Sequence, residues 1–202
     1  RFTLTDPYLN LVWLGPGRFN LNTGIRYNVH SEYGGAGVYQ VNPSWSLPVG
    51  AGYLKVFGSW ATSYITPSLL QLFGPFGANP ELAPERNRTL ETGLEWKATN
   101  AFRLNLLFFN RLEEAVVLFD NAAFRYFNAG EDLKARGVEA ELRWDWSAAW
   151  SLSANYAFTE REGDAAIRIP RHKLNTRLRY APDTRRGAWV SYRYTGTRTD
   201  TD

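Results

Sequence analysis

Successive side chains of an extended strand point to opposite faces, so polarity with a period of two marks a strand with one wet and one apolar side. Residues 19–30 show it first: Phe19, Leu21, Thr23, Ile25, Tyr27 and Val29 alternate with Asn20, Asn22, Gly24, Arg26, Asn28 and His30. The pattern returns in residues 39–47, 91–98, 150–158 and 173–180, and is sharpest where Val138, Ala140, Leu142, Trp144 and Trp146 alternate with Glu139, Glu141, Arg143 and Asp145. Weaker strands fit residues 7–14, 54–64, 102–111 and 188–194, giving ten in all. Runs of about ten residues are long for a globular sheet but suit a tilted strand crossing a bilayer.

The connections carry a second regularity. Gly15-Pro16-Gly17, Gly50-Ala51-Gly52, Thr99-Asn100, Ala148-Ala149 and residues 182–187 are short and rich in turn formers. Between them lie longer segments at about 30–37, 65–88, 112–132 and 160–171. Strict alternation of short and long connections is the habit of outer-membrane barrels, whose periplasmic turns are short and extracellular loops long. Trp13, Trp45, Trp96, Trp144, Trp146, Trp150 and Tyr180 all lie near short turns, as an interfacial aromatic girdle requires. A soluble β-sandwich would use shorter strands and spread its aromatics through a core. The reading is therefore an all-β, antiparallel transmembrane barrel, with outer-membrane lipid against its apolar face.

Composition sharpens this reading. No stretch approaches the length of an apolar membrane helix, which leaves strands as the means of crossing. The polar faces bear many charges, and a dry interior would make each one costly unless paired. A wide, wet or plugged lumen is expected instead. A net charge of +3 does not indicate a nucleic-acid partner, because the cations alternate with apolar residues and mix with acids. There is no Cys, hence no thiolate metal site, and no Met; the chain begins at Arg1, with no leader peptide visible. With short turns in the periplasm, ten strands put Arg1 and Asp202 both on the extracellular side. The expectation is one partial barrel domain over residues 1–202, cut from a longer protein.

Two segments resemble TonB-dependent outer-membrane receptors, in particular the vitamin B12 (cobalamin) and siderophore receptor group. One runs from Ser63-Tyr64-Ile65-Thr66-Pro67 through Asn79-Pro80-Glu81-Leu82-Ala83-Pro84-Glu85 to Glu91-Thr92-Gly93. The other is Tyr126-Phe127-Asn128-Ala129-Gly130 followed by Arg136-Gly137-Val138-Glu139. A weaker match is Tyr192-Arg193-Tyr194-Thr195-Gly196-Thr197-Arg198. The resemblance implies a barrel of about 22 strands around an N-terminal plug absent from this chain. It further implies uptake of a metal chelate such as cobalamin or a ferric siderophore, energised by the inner-membrane TonB protein. A passive porin or small self-closing barrel is the first alternative, and an outer-membrane hydrolase the second.

No catalytic constellation, cofactor site or metal site is read from the residues. His30 and His172 are far apart and fit solvated rim positions; Ser63, Ser68 and Ser151 lack a histidine and acid at useful spacing. Any ligand site should lie in the long loops. Gln71, Phe73, Phe76 and Asn79 in one, with Phe124, Tyr126 and Phe127 in the other, combine amide and aromatic groups suited to a bulky ligand. The same aromatics would equally serve to pack the loops together.

Overall fold

The computed structural model describes residues 2–162 and 168–199. Its strands are β1 (Leu4–Thr5), β2 (Tyr8–Leu14), β3 (Phe19–His30), β4 (Gly34–Val49), β5 (Gly52–Ile65), β6 (Glu85–Thr99), β7 (Phe102–Glu114), β8 (Val117–Asp120), β9 (Arg125–Asn128), β10 (Leu133–Trp144), β11 (Trp150–Arg161), β12 (His172–Tyr180) and β13 (Ala188–Thr195). All but β8 and β9 join one antiparallel sheet, and from β3 onward each strand pairs with the next strand of that sheet in sequence. Both β1 and β2 pair with β3, at opposite ends of it, so they form one edge strand interrupted at Pro7, which has no N–H for the ladder. The Pro7 carbonyl keeps the pairing going by accepting from the Tyr27 N–H at 3.0 Å. Counting that pair once, the sheet is ten strands wide among the described residues, as the alternation predicts.

Cross-strand partners share a face, and the register sorts the sheet cleanly. On one side, Leu94 faces Leu106, Leu106 faces Ala140, and Ala140 faces Tyr156. On the other, Glu95 faces Asn105, Asn105 faces Glu141, and Glu141 faces Asn155. The apolar side is not covered: Leu90 is 58% exposed, Trp60 51% and Ile25 58%. An apolar belt of this width marks a membrane-facing surface. No helix among the described residues is long and apolar enough to cross a membrane. The strands of 12 or more residues, from β3 to β11, are long enough to do so instead.

The belt has visible borders. Near the short turns its rings form a chain: Trp96–Phe102 at 5.1 Å, Phe102–Trp144 at 6.3 Å, Trp144–Trp146 at 5.5 Å, Trp146–Trp150 at 5.8 Å and Trp150–Tyr180 at 4.5 Å. This is the expected girdle. Towards the long loops the same face turns ionic, with Arg88 paired to Glu114 and Arg136 to Glu160.

Two expectations fail in detail. The segment at 30–37 is not a long loop but a turn at residues 31–33, so short and long connections do not alternate strictly. Its glycines belong to β4, where they make room: Gly37 lies opposite Tyr27, and a Cβ on Gly35 would strike the Tyr27 ring. Trp146, placed on a strand by the alternation, lies just beyond the end of β10 and reaches the girdle from the turn. The expected loop at 160–171 falls partly, and the chain ends Arg1 and 200–202 wholly, outside the described residues.

Candidate functional site

Two connections at the long-loop end, residues 66–84 and 115–132, pack into a single cap. In the first, Pro67 keeps the residue before it extended, and Ser68 caps the short helix α1 (Leu69–Phe73) through a reciprocal bond pair with Gln71. The helix buries Leu72 to 2% exposure, and the Gln71 carbonyl then accepts from the Asn79 N–H at 2.8 Å. Asn79 is the hub. Its Oδ1 accepts from the Glu81 N–H (3.0 Å) and the Arg125 guanidinium (2.7 Å), while its Nδ2 donates to the Tyr126 carbonyl (2.9 Å). Leu82, also 2% exposed, fills the space behind it, and the Tyr33 hydroxyl donates to the Leu82 carbonyl at 3.1 Å. Burial pushes the Tyr33 hydroxyl above its ordinary pKa, and Tyr64 and Glu32 add to the rise, so it remains a donor.

The second connection folds as a hairpin of β8 and β9, turned by Asp120, whose Oδ1 accepts from the Ala122 and Ala123 N–H groups. Phe119 packs edge-on against Phe124 (5.4 Å) and Tyr126 (4.9 Å). Asn128 locks the hairpin to the first loop, accepting from the Ala83 N–H (2.8 Å) and donating to the carbonyls of Ala83 (3.0 Å) and Ala115 (2.7 Å). Glu85, at the start of β6, accepts from the Val117 N–H at 2.7 Å. Below the cap, buried Glu113 pairs with Arg161 and with Arg111.

The seven residues singled out from the sequence divide into two groups. Gln71, Asn79 and Tyr126 are framework, bonded to one another directly or in sequence through the cap. Phe73, Phe76, Phe124 and Phe127 are 60%, 68%, 58% and 40% exposed, an unusual display of large rings. Phe124 holds its place with φ at +51°, a conformation that costs a bulky residue about 1–2 kcal/mol. Phe73 leans towards Phe2 (6.2 Å) instead of towards the hairpin. Leu72, Leu82, Arg125 and Asn128 escaped the sequence reading as cap residues. Leu82 and Asn128 left a signal, each inside a segment that carries the resemblance.

His30 is a correction. It is buried, not solvated: its Nδ1 accepts from the Glu32 and Tyr33 N–H groups (3.1 and 3.4 Å), which assigns the ring proton to Nε2, and its ring sits between Phe2 and Tyr33. Long His30 side-chain contacts close the turn at 31–33, a structural task. His172 bonds the Tyr156 hydroxyl through Nδ1 at 2.8 Å on the apolar side of the sheet. Ser68 is spent on its helix cap and Ser63 on Asn87.

Beneath the cap the polar side of the sheet is arranged in rows. One row runs Lys55, Glu95, Asn105, Glu141, Asn155, Asn175, Arg193 across seven strands. The Asn105 amide donates to Glu141 (3.3 Å), Asn175 to Asn155 (2.9 Å) and Arg193 to Asn175 (3.1 Å). The next row towards the short turns is Tyr53, Lys97, Arg103, Arg143, Ser153, Arg177, Ser191. The Tyr53 hydroxyl donates to Glu95 across the two rows. Gly93 and Gly137, from the two segments that carry the resemblance, let the Phe57 and Phe109 rings lie flat on this wall, where a Cβ would strike them.

Comparison with known proteins agrees with this architecture. The family model described as TonB dependent receptor-like, beta-barrel matches residues 8–202. The fold is similar to the siderophore receptor PirA from Pseudomonas aeruginosa, with a TM-score of 0.81 at 20% identity over 96% of this chain and 38% of that one. It is similar to the copper transporter OprC, TM-score 0.81, 15% identity, over 96% and 34%. A mutant of the Pseudomonas aeruginosa ferric enterobactin receptor PfeA, in complex with enterobactin, superposes at 0.79 and 16% identity over 98% and 33%. The chain thus spans about a third of the length of these structures.

Proposed function

The chain belongs to the TonB-dependent receptor β-barrel family, and we propose that it forms barrel wall and part of the extracellular vestibule of a receptor that takes up a metal chelate. Membership places it in the outer membrane of a Gram-negative bacterium, in a family of transport receptors. The short-turn end is then periplasmic and the cap extracellular. The single observation that carries the ligand reading is the cap itself. It is a rigid, hydrogen-bonded frame built on Asn79 and Asn128, and it holds four phenylalanine rings in the open. Exposed rings held on such a frame are suited to the flat faces of a bulky chelate.

A ferric siderophore or a copper complex fits this reading in view of the structural neighbours, and cobalamin remains an arm of the test. Coupling to the TonB protein would act through parts of the receptor outside these residues. The test is a tryptophan-fluorescence titration of the intact receptor with ferric siderophores, copper complexes and cobalamin. We expect a saturable change with one of them, weakened in F76A, F124A and F127A variants, these phenylalanine sites being proposed contacts. No change with any of the three classes would sink the reading.

A further inference from the structure

Charge is divided unevenly over the lumen wall. On β6, β7 and β10 the lumen side mixes both signs, with Glu91, Glu95, Glu139 and Glu141 among its acids. On β11, β12 and β13 it carries no carboxylate among the described residues. That stretch instead holds Lys173, Arg177, Arg179 and Arg193, none of which makes an ion pair among the described residues, interleaved with Ser153, Asn155, Asn175 and Ser191. The hydrogen bonds that Arg177 and Arg193 do make go to neutral partners, Ser191 Oγ (3.2 Å) and Asn175 Oδ1 (3.1 Å), which orient the guanidinium groups without cancelling their charge. A groove of about 650 Å³ runs between Arg177, Arg193 and Arg143, and of its lining only Glu141, at the β10 edge, is a carboxylate. Leaving like charges adjacent on one wall is unfavourable unless something negative meets them.

We propose that this wall is a waypoint for anions on the lumen side of the barrel. Arg177, Arg179 and Arg193 present forked N–H donors, and the flanking serines add hydroxyls. Together they match the carboxylate, catecholate or phosphate oxygens of a negatively charged metal chelate. Rings or tracks of Arg and Lys are how pores favour anions. The site lies on the lumen face of β12 and β13, outside the strands that carry the cap. Arg177 and Arg179 stand in the half of β12 next to the short turn at 182–187, so the site acts on cargo leaving the vestibule rather than on first capture. This inference rests on the uptake reading above and narrows its substrate class to chelates of net negative charge.

The test uses the intact receptor with R177Q/R179Q and R177K/R179K, and two probes, a ferric tris(catecholate) and ferric citrate. For the probe that the wild type imports, surface binding should stay within about twofold in R177Q/R179Q while the uptake rate falls about fivefold or more. The lysine pair should restore most of the rate. The melting temperature of R177Q/R179Q should hold or rise, because like charges have been removed. An unchanged uptake rate would overturn the waypoint. So would a lowered melting temperature, which would mean that these arginines pair with acids of another part of the receptor. A wild type that binds and imports neither probe would instead strike down the uptake of anionic chelates itself, and the waypoint with it.

Discussion

The cap and the barrel wall are held together in opposite ways. The wall has two solvents and hardly any interior: its apolar side chains meet lipid, its polar ones meet the lumen, and its stability lies in ladder hydrogen bonds and cross-strand neighbours. The cap is a small globular unit. It buries Leu72, Leu82 and Val116, and satisfies its backbone through the side chains of Asn79 and Asn128. A wall residue is therefore judged by the face it occupies, and a cap residue by what it touches.

The largest contrast should come from charge reversal of environment on the wall. L106R, at mid-belt on the lipid face, should destabilise the receptor by about 2–4 kcal/mol in bilayers, whereas E139R, on the lumen face and two strand positions from Glu141, should change stability little. Urea unfolding of the intact receptor in lipid vesicles measures both. Equal effects would mean that the two faces see the same medium. In the cap, L82A should cost about 3 kcal/mol through a cavity that nothing can refill. The loss should be local, seen as faster amide exchange in residues 66–84 and 115–132, with exchange in β5–β7 unchanged. Exchange rising through the strands as well would show that cap and wall fold as one.

N128D is a subtler probe of the same joint. Its added oxygen would face the Ala83 and Ala115 carbonyls in place of an N–H donor, costing about 1–3 kcal/mol and loosening the hairpin first. Limited proteolysis near residues 121–124 reads it; cutting as slow as in the wild type would contradict the lock. The smallest expected effect has the opposite sign. Ala115 sits at φ +54°, so A115G should stabilise the cap by up to about 1 kcal/mol, visible as slower exchange there.

Legibility in the sequence follows the same division. Wall strands were readable because every second residue reports the solvent on its side, and the ten strands, the girdle and the charged lumen come from that one rule. The rule fails where tertiary contact overrides polarity. Gly34, Gly35 and Gly37 read as loop yet form strand; at Gly35 the Tyr27 ring needs the room, and Gly34 takes a φ of +71° that favours glycine. It is silent in the cap, whose parts are neighbours in space but not in sequence. Asn79 and Tyr126 were singled out as ligand contacts, and nothing local reveals that the amide of one holds the carbonyl of the other. Nor could the alternation show the cationic sector of the lumen, since it emerges only when register sets Arg177 beside Ser191 and Asn175 beside Arg193.

The most direct test of the central claim, that these strands are barrel wall with lipid on one face and an aqueous lumen on the other, is site-directed spin labelling. The 202 residues contain no cysteine, so single cysteines can be walked from Val138 to Arg143 in the intact receptor in lipid bilayers, with any cysteine elsewhere in the receptor replaced first. Labels at 138, 140 and 142 should collide mainly with oxygen dissolved in lipid, and those at 139, 141 and 143 with a water-soluble nickel chelate, alternating at every step. A uniform response along the six positions, or alternation with the opposite phase, would contradict the account.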